Sequence, residues 1–185
     1  MDHPLDKDQR YTYADYCTWD DNVRRELIDG VVYDMSAPTW EHQGISMSLS
    51  RQLSTFLQGK ACNVFAAPFD VRLNANENDD TVVQPDVVVI CDRSKQSGTG
   101  CVGSPDMVVE ILSPASQRRD RLEKLRLYQR FGVREYWIVD PEYKTVSVHL
   151  LEGGKYMISV FGDEGAVPIH ILESCEIYLQ EVFSV

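Results

Sequence analysis

Two runs of β-branched and apolar residues each carry one carboxylate, and this constrains the fold more than any other feature of the chain. The first run is Val82-Val83-Gln84-Pro85-Asp86-Val87-Val88-Val89-Ile90, and the second is Asp106-Met107-Val108-Val109-Glu110-Ile111-Leu112. Near-continuous valine over such lengths reads as strand buried on both faces, the pattern of a sheet covered by helices. An ionised group inside such a sheet is costly without a partner, since even a neutral polar group costs about 2 to 7 kcal/mol. Asp86 and Glu110 therefore need something to meet, and the alternation of strand side chains says where to look. Gln84, Asp86, Val88 and Ile90 point one way, and Val108, Glu110 and Leu112 share a face of the second run. If the two strands are neighbours, their acids converge on one point, with Asp70 at the end of the preceding strand able to join them.

The rest of the pattern supplies helices and further strands. Residues 24 to 28 and 31 to 36 read as a hairpin closed at Asp29-Gly30. Pro38-Thr39 opens a helix over about residues 40 to 58, striped by Ile45, Leu49, Leu53, Phe56 and Leu57 and ended by Gly59. Residues 62 to 73 read as a strand with an irregularity at Pro68, and residues 74 to 80 and 93 to 104 as loops. Ser113-Pro114 ends the second acidic strand, and Ser116 caps a helix that reaches about Phe131 and stops at Gly132. A central strand at 135 to 140, packing Tyr136 and Trp137, leads to a hairpin at about 144 to 151 and 155 to 161. The expected fold is α+β, a mixed central sheet flanked by helices. It forms one domain over residues 1–185, with a core at about 24–141 and a C-terminal hairpin extension at 142–185.

Helix geometry singles out one lysine. With Asp120 at zero and 100° per residue, Leu127, Phe131, Lys124 and Tyr128 fall between about −20° and 80°. Arg119, Glu123, Arg126 and Arg130 cluster between about 240° and 300°. Lys124 thus lies in the apolar arc rather than among the arginines, and points inward toward the acids. Two strand carboxylates and an inward lysine suit a hard cation such as Mg2+ or Mn2+ beside a phosphate. The same three groups also make an internal salt bridge without catalysis, and spacing leaves both readings open.

These residues, in this order, resemble the PD-(D/E)XK nuclease superfamily, and more closely its Uma-two family. The resemblance rests on Glu26-Leu27-Ile28-Asp29-Gly30, Trp40-Glu41-His42, Gln84-Pro85-Asp86, Val109-Glu110-Ile111-Leu112-Ser113-Pro114, Asp120 through Lys124 to Tyr128, and Gly132 to Pro141. It implies a restriction-endonuclease-like fold and a Mg2+- or Mn2+-dependent endonuclease acting on DNA. By the same resemblance the metal ligands are Asp86, Glu110 and the carbonyl of Ile111, the catalytic lysine is Lys124, and Glu26 is a further acid at the site. The superfamily pattern sets lysine two positions after the acid, where this chain has Leu112; the resemblance answers with a lysine moved to the helix.

Composition bounds the rest. The formal net charge is -11, which argues against a passive nucleic-acid coat because such binding comes mostly from neutralising phosphates. Seven Lys or Arg nevertheless lie among residues 118 to 135, against Asp120, Glu123 and Glu135. Arg118, Arg119 and Arg121 are candidate contacts to a nucleic-acid backbone, or a solvated helix face. The five cysteines form no Cys-x-x-Cys pair, and Cys62 and Cys91 read as small core residues. His42, near the start of a helix, either lines the site or merely sits near the helix end; with no ligand motif behind it, the second reading is favoured. No segment has the roughly 20 apolar residues of a membrane span, and Met1 to Asp8 lacks the pattern of a signal peptide, so the cytoplasm is the expected location. The apolar stretch Ile169 to Val185 suggests an association surface and a homodimer. Two other functions remain open: a silent binding module on a nuclease fold, and a metal-dependent hydrolase of small phosphoesters.

Overall fold

A computed structural model describes residues 9–75 and 77–184, so the expectation for Met1 to Asp8 lies outside the described residues. The elements in chain order are α1 (Tyr13–Tyr16), β1 (Arg25–Ile28), β2 (Val31–Asp34), α2 (Trp40–Leu57), β3 (Asn63–Ala66) and β4 (Asp70–Arg72). Next come β5 (Val82–Val83), β6 (Val87–Ile90), β7 (Gln96–Ser97), β8 (Gly100–Val102) and β9 (Met107–Ile111). A stretch of π-helix (Arg119–Lys124) runs directly into α3 (Leu125–Arg130). The chain finishes with β10 (Glu135–Asp140), β11 (Thr145–Glu152), β12 (Lys155–Phe161), β13 (Ala166–Pro168), β14 (Glu176–Tyr178) and α4 (Leu179–Val182).

The central sheet has the order β12-β11-β10-β9-β6-β3, and a second six-stranded sheet the order β2-β1-β5-β4-β8-β7. β9 and β10 run parallel while β6 and β9 run antiparallel, so the central sheet is mixed, as expected. One expectation is corrected. Residues 62 to 73 and 82 to 91 each read as a single strand, yet each run breaks in two and serves both sheets. Pro85 cannot donate to a ladder, so the first acidic run leaves the small sheet after β5 and enters the central sheet at β6. Pro68, after a cis peptide bond, divides β3 from β4 in the same way. The predicted loop at 93 to 104 holds the short hairpin of β7 and β8. Gly100 has to be glycine there, because a Cβ would fall 2.0 Å from the carbonyl oxygen of Asp70 on the neighbouring parallel strand.

Strand alternation divides the core between the two faces of the central sheet. Met107, Val109, Ile111, Trp137 and Val139 turn toward α2, whose Ile45, Leu49 and Leu53 are buried against them. Val108, Leu112, Tyr136 and Ile138 turn the other way, toward α3 and the small sheet. The C-terminal segment corrects a second expectation. Ile169, Leu172, Ile177, Leu179 and Val182 are buried in the α2-side core, so these apolar residues are used within the chain. A third correction concerns Cys62 and Cys91, which are joined in a disulfide. They sit one step beyond the paired Asn63 and Ile90 of β3 and β6, where the antiparallel register sets them face to face.

Candidate active site

Glu110 and the helical lysine meet, and Asp86 lines the same cavity without touching either. Glu110 on β9 is 4% exposed and Lys124 3% exposed, and the Lys124 Nζ donates to Glu110 Oε1 at 2.8 Å. The same ammonium donates to Glu26 Oε1 at 2.7 Å and lies 3.6 Å from Asp120 Oδ1. The Tyr128 hydroxyl donates to Glu110 Oε1 at 2.7 Å from one turn further along. Glu26 reaches in from β1, and its Oε1 also accepts the Gln84 backbone N–H at 2.9 Å, which ties the small sheet to the lysine. Asp86 stands at the break between β5 and β6. Its Oδ2 accepts the Ile111 backbone N–H at 2.7 Å and lies 3.2 Å from the Nε2 of His42. Glu26, Asp86, Glu110, Ile111, Asp120 and Lys124 all line one cavity of about 500 Å³.

The π-helix explains what the wheel calculation placed well and what it placed badly. Asp120 and Lys124 are four apart and remain inward, as expected. The extra residue per turn also brings together residues five apart, so Arg119 comes round onto the side of Lys124. Its guanidinium lies 3.6 Å from Glu26 Oε2 and stacks 4.3 Å from the centre of the Tyr33 ring. Of the three candidate arginines, Arg119 alone lines the cavity. Arg121 turns to an ion pair with Asp140 at the end of β10, and Arg118 is exposed. Asp70 does not join the acids: its Oδ1 accepts from the Tyr16 hydroxyl and the Gln84 side-chain amide.

Charge is out of balance at this place. Four acids (Glu26, Asp86, Glu110 and Asp120) face the two fixed cations Lys124 and Arg119. Burial lifts the Glu110 carboxyl well above the ordinary carboxylate range; Lys124 opposes this, and Asp120, Glu26 and Asp86 add to it. Burial likewise lifts Asp120 against the pull of Lys124. Burial works against the Lys124 ammonium, but Glu110, Glu26 and Asp120 outweigh it and hold the charge in place. Glu26 Oε2 and Asp120 Oδ1 are buried acceptors with no hydrogen-bond donor.

Sequence reasoning missed two members of the site. His42, read as a helix-end residue, packs its ring against Asp86. Burial opposes its protonation, yet hydrogen bonds to Asp86 and to the Ile111 backbone raise its pKa overall. Its Nδ1 is buried without a hydrogen-bond partner. The signal was its seat in the first turn of α2, capped by Thr39. Tyr128, on the inward arc of the wheel, had no role assigned to it.

Among the described residues, no three or more His, Cys, Asp or Glu side chains are grouped to hold a metal ion. A magnesium-type site asks for less, one or two carboxylates and several waters. The hydrogen bonds described for Asp86 fall on Oδ2 and those for Glu110 on Oε1, so each acid has a second oxygen to offer. With surplus negative charge and buried acceptors lacking donors, the residues fit a hard divalent ion.

Comparison with known proteins agrees with this architecture. A model of the Uma2 family, described as "Putative restriction endonuclease", matches residues 12–180. The uncharacterized protein slr1290 of Synechocystis sp. (strain ATCC 27184 / PCC 6803 / Kazusa) is 32% identical over 148 residues, which cover 78% of this chain and 76% of that one. The crystal structure of a putative nuclease belonging to DUF820 from Anabaena variabilis ATCC 29413 superposes with a TM-score of 0.76 at 18% identity. That likeness covers 94% of this chain and 98% of that one, and shows the fold.

Proposed function

The chain belongs to the Uma2 family, and on that premise we propose that it is an endonuclease that hydrolyses DNA phosphodiester bonds with Mg2+ or Mn2+. The observation that carries this reading is the buried Lys124 ammonium, shared between Glu110 and Glu26 in the wall of the cavity that Asp86 also lines. Asp86, Glu110 and the Ile111 carbonyl would hold the cation. Bound there, a divalent ion polarises the scissile phosphate and lowers the pKa of a water.

The chain's own residues do the rest. Lys124 sets a positive charge where the pentavalent phosphorane gathers negative charge, in a site from which bulk water is largely excluded. Glu26 holds the ammonium from the side of the small sheet, and Tyr128 fixes one Glu110 oxygen so that the other can address the cation. His42 and the Ile111 N–H fix Asp86 in the same manner. Arg119 offers a guanidinium to the phosphate backbone, with Arg118 exposed beside it; Arg121 contributes less, being paired with Asp140.

Purified protein should cut DNA when Mg2+ or Mn2+ is added, and Asp86→Ala, Glu110→Gln and Lys124→Met should each lower the rate by at least about 10²-fold. Calorimetry should find Mn2+ binding that Glu110→Gln removes. Undiminished cutting by any of the three variants would overturn the assigned roles. A second reading, hydrolysis of small phosphoesters, is favoured by a cavity of a size that encloses small ligands and by the acidic body. Turnover of nucleotides without DNA affinity at low salt would select it. Absence of any Mn2+ binding would select a silent module.

A further inference from the structure

β12 is the longest edge strand of the two large sheets and the least protected. The opposite edge of the central sheet, β3, is four residues long and lies against α2. β12 is seven residues, Lys155-Tyr156-Met157-Ile158-Ser159-Val160-Phe161, and among the described residues it is paired on one side only. Met157, Ile158 and Val160 are 57 to 65% exposed, and the strand holds one charge, Lys155, at its start. Natural edge strands are usually blunted by charges, proline or a bulge. In a chain with a formal charge of -11, an apolar edge of this length with a single charge is conspicuous.

We propose that β12 pairs antiparallel with β12 of a second copy, about a two-fold axis at Ser159. The register follows from sequence and strand geometry. Residues opposite each other in an antiparallel pair must both lie in hydrogen-bonded or both in non-hydrogen-bonded positions, so the numbers of opposed residues add to an even total. A centre at Met157 would set Lys155 against Ser159, and a centre at Ile158 would set it against Phe161. A centre at Ser159 opposes Ile158 to Val160 on one face and Met157 to Phe161 on the other. It also brings Lys155 opposite Asp163, an exposed acid two residues beyond the strand, at both ends of the pair. Only this register matches apolar with apolar and cation with anion, and each match occurs twice by symmetry.

The pairing has a structural consequence. Opposed residues project from the same side of an antiparallel sheet. Ile158 pairs with His149, and His149 with Tyr136, so Ile158 lies on the sheet face that carries Glu110. The dimer is then one continuous twelve-stranded sheet with both candidate sites on the same side. The pairing itself does not depend on the nuclease reading.

Sedimentation equilibrium of the full chain should find a species of twice 21.1 kDa. Lys155→Glu and Asp163→Lys should each weaken the dimer by roughly tenfold, and the two together should restore it, because the ion pairs re-form with their signs exchanged. Ser159→Cys should give a dimer bridged between the copies under mild oxidation, while Ile158→Cys and the parent chain with its exposed Cys17 should not. All four substitutions are at exposed positions, and circular dichroism should match the parent. A 21.1 kDa species at every concentration would overturn the proposal. So would a double charge variant no tighter than the single ones, or bridging at Ile158→Cys in place of Ser159→Cys.

Discussion

Two glutamates buried in neighbouring strands of the same sheet have opposite surroundings. Glu135 opens β10 and faces the α2 side; it is 0% exposed. The Trp137 indole N–H donates to its Oε1 at 2.7 Å and the Ile171 backbone N–H to its Oε2 at 3.0 Å, with His170 3.6 Å away. Both oxygens are met by neutral donors that the fold itself supplies. Glu110 on β9 faces the other side, where both of its described hydrogen bonds crowd one oxygen and three further acids lie near. A buried acid that the fold satisfies completely is part of the scaffold. One left among like charges, facing a cavity, is the group on which the proposed cation site rests.

The largest effect should come from removing the cation between the acids. Lys124→Met leaves Glu26, Glu110 and Asp120 buried without their counter-charge, and breaking such a group costs about 3 to 5 kcal/mol. Urea unfolding measures this, and added Mn2+ should recover part of the loss by supplying positive charge. A Lys124→Met variant as stable as the parent would show that the acids are already neutral and that the contrast with Glu135 is false. The next effect is on the satisfied side. Glu135→Gln turns an amide N–H toward Trp137 or Ile171, leaves a buried donor unmet and costs about 1 to 3 kcal/mol. DNA cleavage per folded molecule should hardly change. A large loss of cleavage at Glu135 would break the comparison.

How much of this was legible beforehand differs from one element to the next. The hairpin of β1 and β2, the long α2 and the inward Lys124 follow from local pattern, because turn chemistry and helical period act over a few residues. Division into two sheets was not legible. Pro68 and Pro85 marked the breaks, but the partner of each half-strand is set by residues tens of positions away. Arg119 was misplaced because a wheel at 100° per residue cannot anticipate the wider π turn. The disulfide depended on register between β3 and β6, and the role of His42 on where α2 crosses the sheet. The first leaves no trace in local sequence, and the second only the seat of His42 in the first turn of a helix. The C-terminal apolar run looked the same on paper whether it covered the chain's own core or another molecule.

The smallest expected effect is a pH dependence on the Glu110 side. His149 lies on the Glu110 side, its Nδ1 3.1 Å from the Tyr136 carbonyl and its ring against Tyr136 and Tyr156. Burial, the largest influence, lowers its pKa below the ordinary 6.5. The folded chain therefore keeps this imidazole neutral while the unfolded chain takes up a proton. Below pH 6.5 the unfolded state binds more protons, so His149 withdraws stability as the solution becomes more acidic. Glu110 acts with the opposite sign. Its raised pKa lets the folded state hold a proton above the ordinary 4.5, and stability is lost as pH rises through the folded value. The two slopes oppose each other in the wild type, so the informative quantity is a difference between variants. His149→Gln should gain melting temperature relative to the parent between pH 7.5 and 5.5, and Glu110→Gln should gain it relative to the parent as pH rises above 4.5. A His149→Gln difference that stays flat across this window would mean that burial does not hold the imidazole neutral in the folded chain.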